Sequence, residues 1–425
     1  MNFSQIDALL HREVIPAIGC TEPIAVSLCT AKACEVLGSI PERILVNLSP
    51  NIYKNAMGVG IPNTGMTGLP IAVALGAIAG KSEYKLEVLK DADSQAVDKA
   101  KSYLESASIK IDIDRQTSQM LYISVEVYYG SDCAKAVIAG THTNFIHISR
   151  NGEVIYTQQI SEEGEQAVNN DTQLTLRDVY EYATTVELSQ IEWLEQAEKL
   201  NIAAAEVSFT GDYGHGLGRL MHNKAKQSIF GDTLFTKILS YTSGACDARM
   251  SGAMVPVMSN SGSGNQGISA TVPVVIFGRE KGVTRERLLR ALALSHLTVV
   301  YIKQSLGRLS ALCGCVVAAT GSSCGITYLM GGEYSQICFA VKNMVANLTG
   351  MICDGAKPSC SLKVTSGVST AVLSAVLAIE QRTTTSIEGI IDDDVDKCIA
   401  NLTNIGRNGM RETDKLILKI MTEKQ

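Results

Sequence analysis

The chain has 425 residues, of which 46% are hydrophobic and 19% charged. That apolar content is enough for a large core, sets the chain apart from disordered sequences, and at ~150 residues per domain suggests two or three domains. With 37 Lys and Arg against 43 Asp and Glu the net charge is −6, so no basic footprint marks a partner of nucleic acid or of an anionic membrane surface.

The N-terminus, Met1-Asn2-Phe3-Ser4-Gln5-Ile6-Asp7, has no basic segment followed by an apolar one, so no secretory signal is expected. Residues 4–15 read as a short helix with Ser4 as its cap and Ile6, Leu9 and Leu10 on one side; Pro16 and Gly19 end it. A second helix follows at once, capped by Thr21, with Pro23 in its first turn and Gly38 as its stop. From residue 41 the texture changes. Residues 44–48 are strand-like, 65–80 read as a buried helix, 85–89 as a strand and 92–107 as an amphipathic helix. Strand-like runs follow at 109–113, 121–129, 134–139, 144–149 and 154–156, and Asn151-Gly152 signals a hairpin. After residue 172 the chain turns helical, beginning with 176–204, which lacks Gly and Pro. Residues 252–278 and 309–332 carry no charge, but Gly, Ser and Asn interrupt them, so they read as buried interior rather than as membrane spans. The expected fold class is α+β: a mainly helical domain over 173–425, N-terminal helices (1–40) packed on it, and an inserted α+β domain over 41–172.

Twelve cysteines in a chain without an export signal are expected to be reduced. Cys20 stands in Gly19-Cys20-Thr21-Glu22-Pro23, directly before a helix N-terminus. Free N–H groups and the helix dipole favour an anion there and can lower a thiol pKa; the alternative is a buried Cys in a tight turn. Further on, Leu312-Cys313-Gly314-Cys315 opens an uncharged run, and Cys353 and Cys360 flank a loop containing Gly and Pro. Thiolates favour zinc or iron–sulfur clusters, whereas a reduced Cys is otherwise a small buried hydrophobe. Cys29, Cys34, Cys133, Cys246, Cys324, Cys338 and Cys398 read as core.

The loop 259–267 holds a formal G-x-G-x-x-G at Gly262, Gly264 and Gly267, without a visible strand–turn–helix unit and with Pro273 close behind. Its Gly, Ser and Asn residues, among them Ser263 and Asn265, better suit a backbone nest for a carboxylate. Lys54 and Asn55 are further candidates for substrate binding, with Lys54 able to balance a carboxylate if it is not simply exposed. His142 and His215 are each able to shuttle protons or to serve a structural role.

Taken together, these motifs resemble the L-cysteine desulfidase family, a relative of the catalytic α-chain of bacterial iron–sulfur L-serine dehydratases. The resemblance runs from residues 14–23 through 55–65 (Asn55-Ala56-Met57-Gly58-Val59-Gly60-Ile61-Pro62-Asn63-Thr64-Gly65), Ser263-Gly264-Asn265-Gln266-Gly267 and residues 313–321 to Cys360 and beyond. It implies an oxygen-sensitive [4Fe–4S] cluster held by Cys353, Cys360 and one member of the Cys313/Cys315 pair, with Cys313 favoured, and one iron left open. It also implies Cys20 as the catalytic thiol and the Ser263–Gln266 stretch as the region that takes the substrate carboxylate. The short loop between Cys353 and Cys360 sides with the desulfidases rather than the dehydratases. The implied protein is a cytoplasmic lyase acting on L-cysteine, with room for a homodimer, and no nucleic-acid or membrane partner. L-Serine dehydratase is the nearest alternative, and a non-catalytic iron–sulfur or zinc protein is another. A pyridoxal-phosphate lyase needs a Schiff-base lysine, which no motif singles out.

Overall fold

The computed structural model describes residues 2–159, 173–223, 227–307 and 310–424. Helix α1 (Phe3–Glu13) starts where Asn2 Oδ1 accepts from Ser4 N at 3.0 Å, so Asn2 is the cap and Ser4 lies inside the first turn. The short strand β1 (Pro16–Ile18) and helix α2 (Thr21–Leu37) follow. Gly38 ends α2 with φ 80°, a left-handed conformation that costs glycine no Cβ clash.

An α+β layer comes next: β2 (Arg43–Leu48), α3 (Pro50–Ala56), α4 (Leu69–Ala79), α5 (Ser94–Ser106), β3 (Ser108–Ile113), β4 (Tyr122–Tyr129), β5 (Asp132–Ala139), β6 (Phe145–Arg150) and β7 (Glu153–Thr157). The strands form one sheet in the order β3-β2-β4-β5-β6-β7. Only β2 and β3 are parallel, which requires the crossover that α3, α4 and α5 supply. Ile44, Val46 and Leu48 stand opposite Val127, Val125 and Ile123, which in turn face Ala134, Ala136 and Ile138. All nine are buried on one face, as a period of two dictates.

Helix α2 covers that face, together with α4 and α5. Its Ile24, Val26, Leu28, Cys29, Ala31 and Ala33 point around the whole helix and are all buried. A helix that is apolar all round needs partners on every side. This differs from the expectation for residues 1–40: α1 joins the helical core, whereas α2 belongs to the core of the sheet. Residues 85–89 also differ. A 3₁₀ turn (Ser82–Glu87) leads into Val88 and Leu89, which are buried as a turn and not as a strand.

The remaining elements are helical apart from one short strand: α6 (Leu176–Thr185), α7 (Leu188–Ile191), α8 (Glu195–Thr210), α9 (Leu217–His222), α10 (Gln227–Phe230), α11 (Leu234–Met250), β8 (Pro256–Met258), α12 (Gly264–Lys281), α13 (Arg285–Leu306), α14 (Gly314–Leu329), α15 (Tyr334–Leu348), α16 (Cys360–Ile379), α17 (Val395–Asn404) and α18 (Arg411–Thr422). The two uncharged stretches become α12 and α14, and α14 lies against α12, α13, α15 and α16. Among the described residues one helix, α16, is long and apolar enough to cross a membrane; 44% of its apolar window is buried, against α11, α14 and α15. The protein is thus α+β with a mainly helical part, as expected.

One small feature positions the site. Strand β1 pairs antiparallel with β8, Pro16 opposite Met258 and Ile18 opposite Pro256. The ladder continues through Ser259 N to Ile15 O at 2.8 Å and Ser261 N to Glu13 O at 2.9 Å. The turn carrying Cys20 is thereby fastened beside the loop that opens α12.

Candidate active site

Cys20 is the N-cap residue of α2 and is buried. Its Sγ donates to Glu22 Oε2 at 3.1 Å. Thr21 Oγ1 lies 2.8 Å from the same oxygen and 2.8 Å from the Gly262 carbonyl, and Asn55 Nδ2 donates to Glu22 Oε1 at 3.2 Å. Burial works to raise the Glu22 carboxyl, but the His142 ring and the hydrogen bonds from Cys20 and Thr21 prevail and hold it below its ordinary value. Cys20 itself goes the other way. Burial first, and then the Glu22 charge, push its thiol well above the ordinary range, while Arg249 works in the opposite direction. This corrects the sequence expectation of a lowered pKa: the helix terminus is present, but desolvation and a neighbouring carboxylate outweigh it. The resting pair is a thiol donating to a carboxylate.

The loop 259–263 sits on a fully buried polar network. Asn260 Nδ2 donates to His296 Nδ1 at 3.0 Å, His296 Nε2 is 3.0 Å from Thr271 Oγ1, and Asn201 Nδ2 donates to Thr271 Oγ1 at 3.0 Å. Ser263 caps α12 by accepting from Gln266 N at 3.5 Å. Asn265 Oδ1 accepts from Arg249 Nη1 at 3.0 Å. The glycines of the G-x-G-x-x-G pattern serve close approach. A Cβ on Gly264 would lie 2.2 Å from Arg249 Nε, and one on Gly267 would lie 1.9 Å from the Met258 carbonyl oxygen. A strand and a helix do flank the pattern, but β8 is three residues long and pairs antiparallel with β1, so no parallel βαβ unit for a dinucleotide is present here.

The cysteines arrive from three places. Leu312 and Ile352 form an isolated bridge, flanked by Cys313 N to Met351 O at 2.9 Å and Cys353 N to Ala311 O at 2.7 Å. This sets Cys313, the N-cap residue of α14, across from Met351 and Cys353 across from Ala311, so that the two cysteines flank the bridge at its opposite ends. Cys360 is the first residue of α16. A hydrogen bond from Cys315 lowers the Cys313 thiol to about 7, against burial. Burial raises Cys353, and it raises Cys360 to about 11. The charges of Cys313, Cys353 and Cys360 act on one another, and those of Cys246 and Cys315 join them. Gln266 rests on the turn between Cys313 and Cys315, since a Cβ on Gly314 would be 3.1 Å from its Cδ. Its buried Oε1 has no hydrogen-bond partner. Asp354 is held by Lys357 and Lys363, the former at 2.6 Å.

Among the described residues no group of three His, Cys, Asp or Glu side chains stands ready to hold a metal ion. A four-iron cubane is a different demand, because each thiolate binds a separate iron and its ligands stand farther apart than those of one ion. Three soft thiols converging beside an unsatisfied buried amide fit that group in chemistry.

Of the residues singled out in the sequence, Cys20 and Asn55 meet at Glu22, and Asn265 meets Arg249. Ser263 spends its hydroxyl on the α12 cap. Lys54 is buried, not exposed, and pairs with Asp414 of α18; its charge also reaches Cys353. Glu22, Arg249 and the proximity of Cys246 to the other thiols were not anticipated. A sign was present for two of them: Cys246-Asp247-Ala248-Arg249 puts charge into an otherwise small, apolar segment directly before the uncharged run at 252.

Residues 83–419 match the family described as the serine dehydratase alpha chain. The span includes Arg249, the 259–267 loop and the five cysteines; Cys20, Glu22, Lys54 and Asn55 precede it. Similar chains include UPF0597 proteins of Bacteroides fragilis (62% identical over 420 residues), Phocaeicola vulgatus (61% over 425) and Porphyromonas gingivalis (50% over 426). Each alignment covers 99% of this chain and 98% of the relative. The chain belongs to the serine dehydratase alpha chain family.

Proposed function

We propose that the protein is an L-cysteine desulfidase, which eliminates sulfide from L-cysteine and yields pyruvate and ammonia. The observation that carries this reading is the meeting of two kinds of thiol at one loop: Cys20, which donates to a buried carboxylate, and the group of Cys313, Cys353 and Cys360, whose Cys313 turn lies against Gln266. Those three cysteines would hold a [4Fe–4S] cluster. When bound, the cluster supplies a Lewis acid for the departing group, and soft iron suits sulfur.

The chain's own residues supply the proton chemistry. Elimination breaks Cα–H and Cβ–S, and the resulting enamine tautomerises and hydrolyses in water. With Cys20 as thiol and Glu22 as carboxylate, the pair has room for one more proton. Sγ takes the Cα proton as its own proton passes to Glu22 Oε2, 3.1 Å away. Asn55 and Thr21 hold the carboxylate in place for that transfer. Burial of the pair keeps bulk water from intercepting the proton.

The family match supports a second reading, L-serine dehydration, with the same proton pair and a hydroxyl leaving group. Rates with L-cysteine and L-serine on anaerobically reconstituted protein separate the two. Sulfide release at least tenfold more efficient than serine deamination supports the desulfidase; the reverse order replaces it with the dehydratase.

A further inference from the structure

Arg249 stands at the end of α11 with 2% of its surface exposed. Taking a guanidinium out of water without a counter-charge is costly, so buried arginines are ordinarily paired with an anion. No carboxylate among the described residues is ion-paired with Arg249. Its Nη1 donates to Asn265 Oδ1, a neutral amide, and its Nε is buried with no acceptor. Asp247, two residues earlier, accepts from Gly218 N through Oδ2 at 3.1 Å, and its Oδ1 is buried without a partner, so neither oxygen pairs with Arg249.

The surroundings hold the guanidinium in place. Gly264 leaves room for it against the backbone, since a Cβ would lie 2.2 Å from Nε and 2.6 Å from Cζ. Asn265 holds the Nη1 end, and Nε is left as a donor without an acceptor on a side chain whose paired N–H groups match a carboxylate. The loop that carries Asn265 touches the Cys20 turn through Gly262 and the Cys313 turn through Gln266. The Arg249 charge acts on both Cys20 and Cys246.

We propose that Arg249 binds the carboxylate of the substrate as the missing half of its ion pair, and thereby sets Cα between Cys20 and the thiol group. The proposal rests on the elimination reading above and narrows it: the site takes small α-amino acids with a free carboxylate and rejects the matching amines, esters and amides. Ser263 is then a helix cap, and Asn265 positions the arginine rather than touching substrate.

The test is binding, with turnover in parallel, on anaerobically reconstituted full-length protein. L-Cysteine, L-serine, L-alanine and pyruvate are titrated calorimetrically beside cysteamine, which keeps the thiol and amine but lacks the carboxylate. Wild-type protein binds L-cysteine roughly 10- to 100-fold more tightly than cysteamine. Arg249→Gln loses that preference, binding the carboxylates weakly and cysteamine as before, and Arg249→Lys restores part of it. A folded Arg249→Gln protein that keeps the wild-type preference overturns the proposal. If Arg249→Gln does not fold, equal binding of cysteamine and L-cysteine by wild type overturns it just as well. Sulfide release by an Arg249→Gln enzyme with unchanged KM sinks the anchor and leaves the desulfidase reading standing. Arg249-dependent binding of L-alanine or pyruvate without sulfide release does the opposite.

Discussion

Replacing Glu22 by Gln keeps shape and removes the proton acceptor. In the native site Oε2 faces Cys20 Sγ at 3.1 Å and Thr21 Oγ1 at 2.8 Å, while Oε1 faces Asn55 Nδ2 at 3.2 Å. The Gln amide can present its oxygen to Cys20 and Thr21, but its NH₂ then meets the Asn55 NH₂. One buried donor loses its acceptor, which costs about 1–3 kcal/mol of stability. The effect on chemistry is larger. An amide takes no proton at neutral pH, so the relay through Cys20 stops, and positioned acid–base groups contribute ~10²–10⁴ in rate. We expect kcat for sulfide release to fall within that range, KM for L-cysteine to change little, and iron content and cluster absorbance to stay at wild-type levels. Acid sensitivity changes as well. The folded Glu22 carboxyl lies below its ordinary 4.5, so its stabilising contribution is complete above that value and is lost as pH falls through the lower folded one; Glu22→Gln lacks this component. A variant with a full cluster and a kcat within about threefold of wild type would refute the relay, since that is far short of an acid–base contribution.

His296 is fully buried, with its pKa lowered by burial to about 3 from 6.5. The unfolded chain therefore takes up a proton that the native state refuses, and stability falls by roughly 2 kcal/mol between about pH 6.5 and 5. In His296→Gln this slope disappears, which urea unfolding across that range measures; an unchanged slope assigns it to other groups. Gly267→Ala forces a Cβ to 1.9 Å from the Met258 oxygen and is expected to cost at least ~2 kcal/mol. Gly350→Ala, with nothing within 4 Å, serves as the control and is expected to stay within about 0.5 kcal/mol; equal melting temperatures for the two contradict the close α12–β8 contact. Cys313 and Cys353 are both held directly beside the Leu312–Ile352 bridge, whereas Cys315 lies inside α14. Cys313→Ser is therefore expected to abolish the cluster absorbance and Cys315→Ser to retain it, and the opposite pattern exchanges their roles.

The sheet was legible because β2 alternates cleanly and the other strands are short runs rich in β-branched and aromatic residues. Ile44, Val46 and Leu48 mark a buried face, and Asn151-Gly152 occupies the β6–β7 turn, with positive φ at both residues. The packing of α2 was not legible, because a uniformly apolar helix does not reveal whether a sheet or a helix bundle will cover it. Residues 85–89 show the limit of short patterns: two buried apolar residues suit a turn as well as a strand. At the site, local sequence identified Cys20 and its place at a helix start, but not the sign of its pKa shift. That sign depends on burial by distant elements and on the rotamer of Glu22. Lys54 was a candidate for binding a substrate carboxylate, and no local pattern showed that α18 would return to bury it against Asp414. Arg249 and Asn265 are 16 residues apart and are joined only by the fold.

The central claim is elimination of sulfide from L-cysteine at a site built from Cys20, Glu22 and the thiol group. It is tested most directly by purifying the protein without oxygen, restoring iron and sulfide, removing the excess, and counting the sulfide and pyruvate formed from L-cysteine. The account predicts equal amounts of both, lost together when air destroys the cluster. A protein that holds its cluster and releases no sulfide from L-cysteine contradicts it.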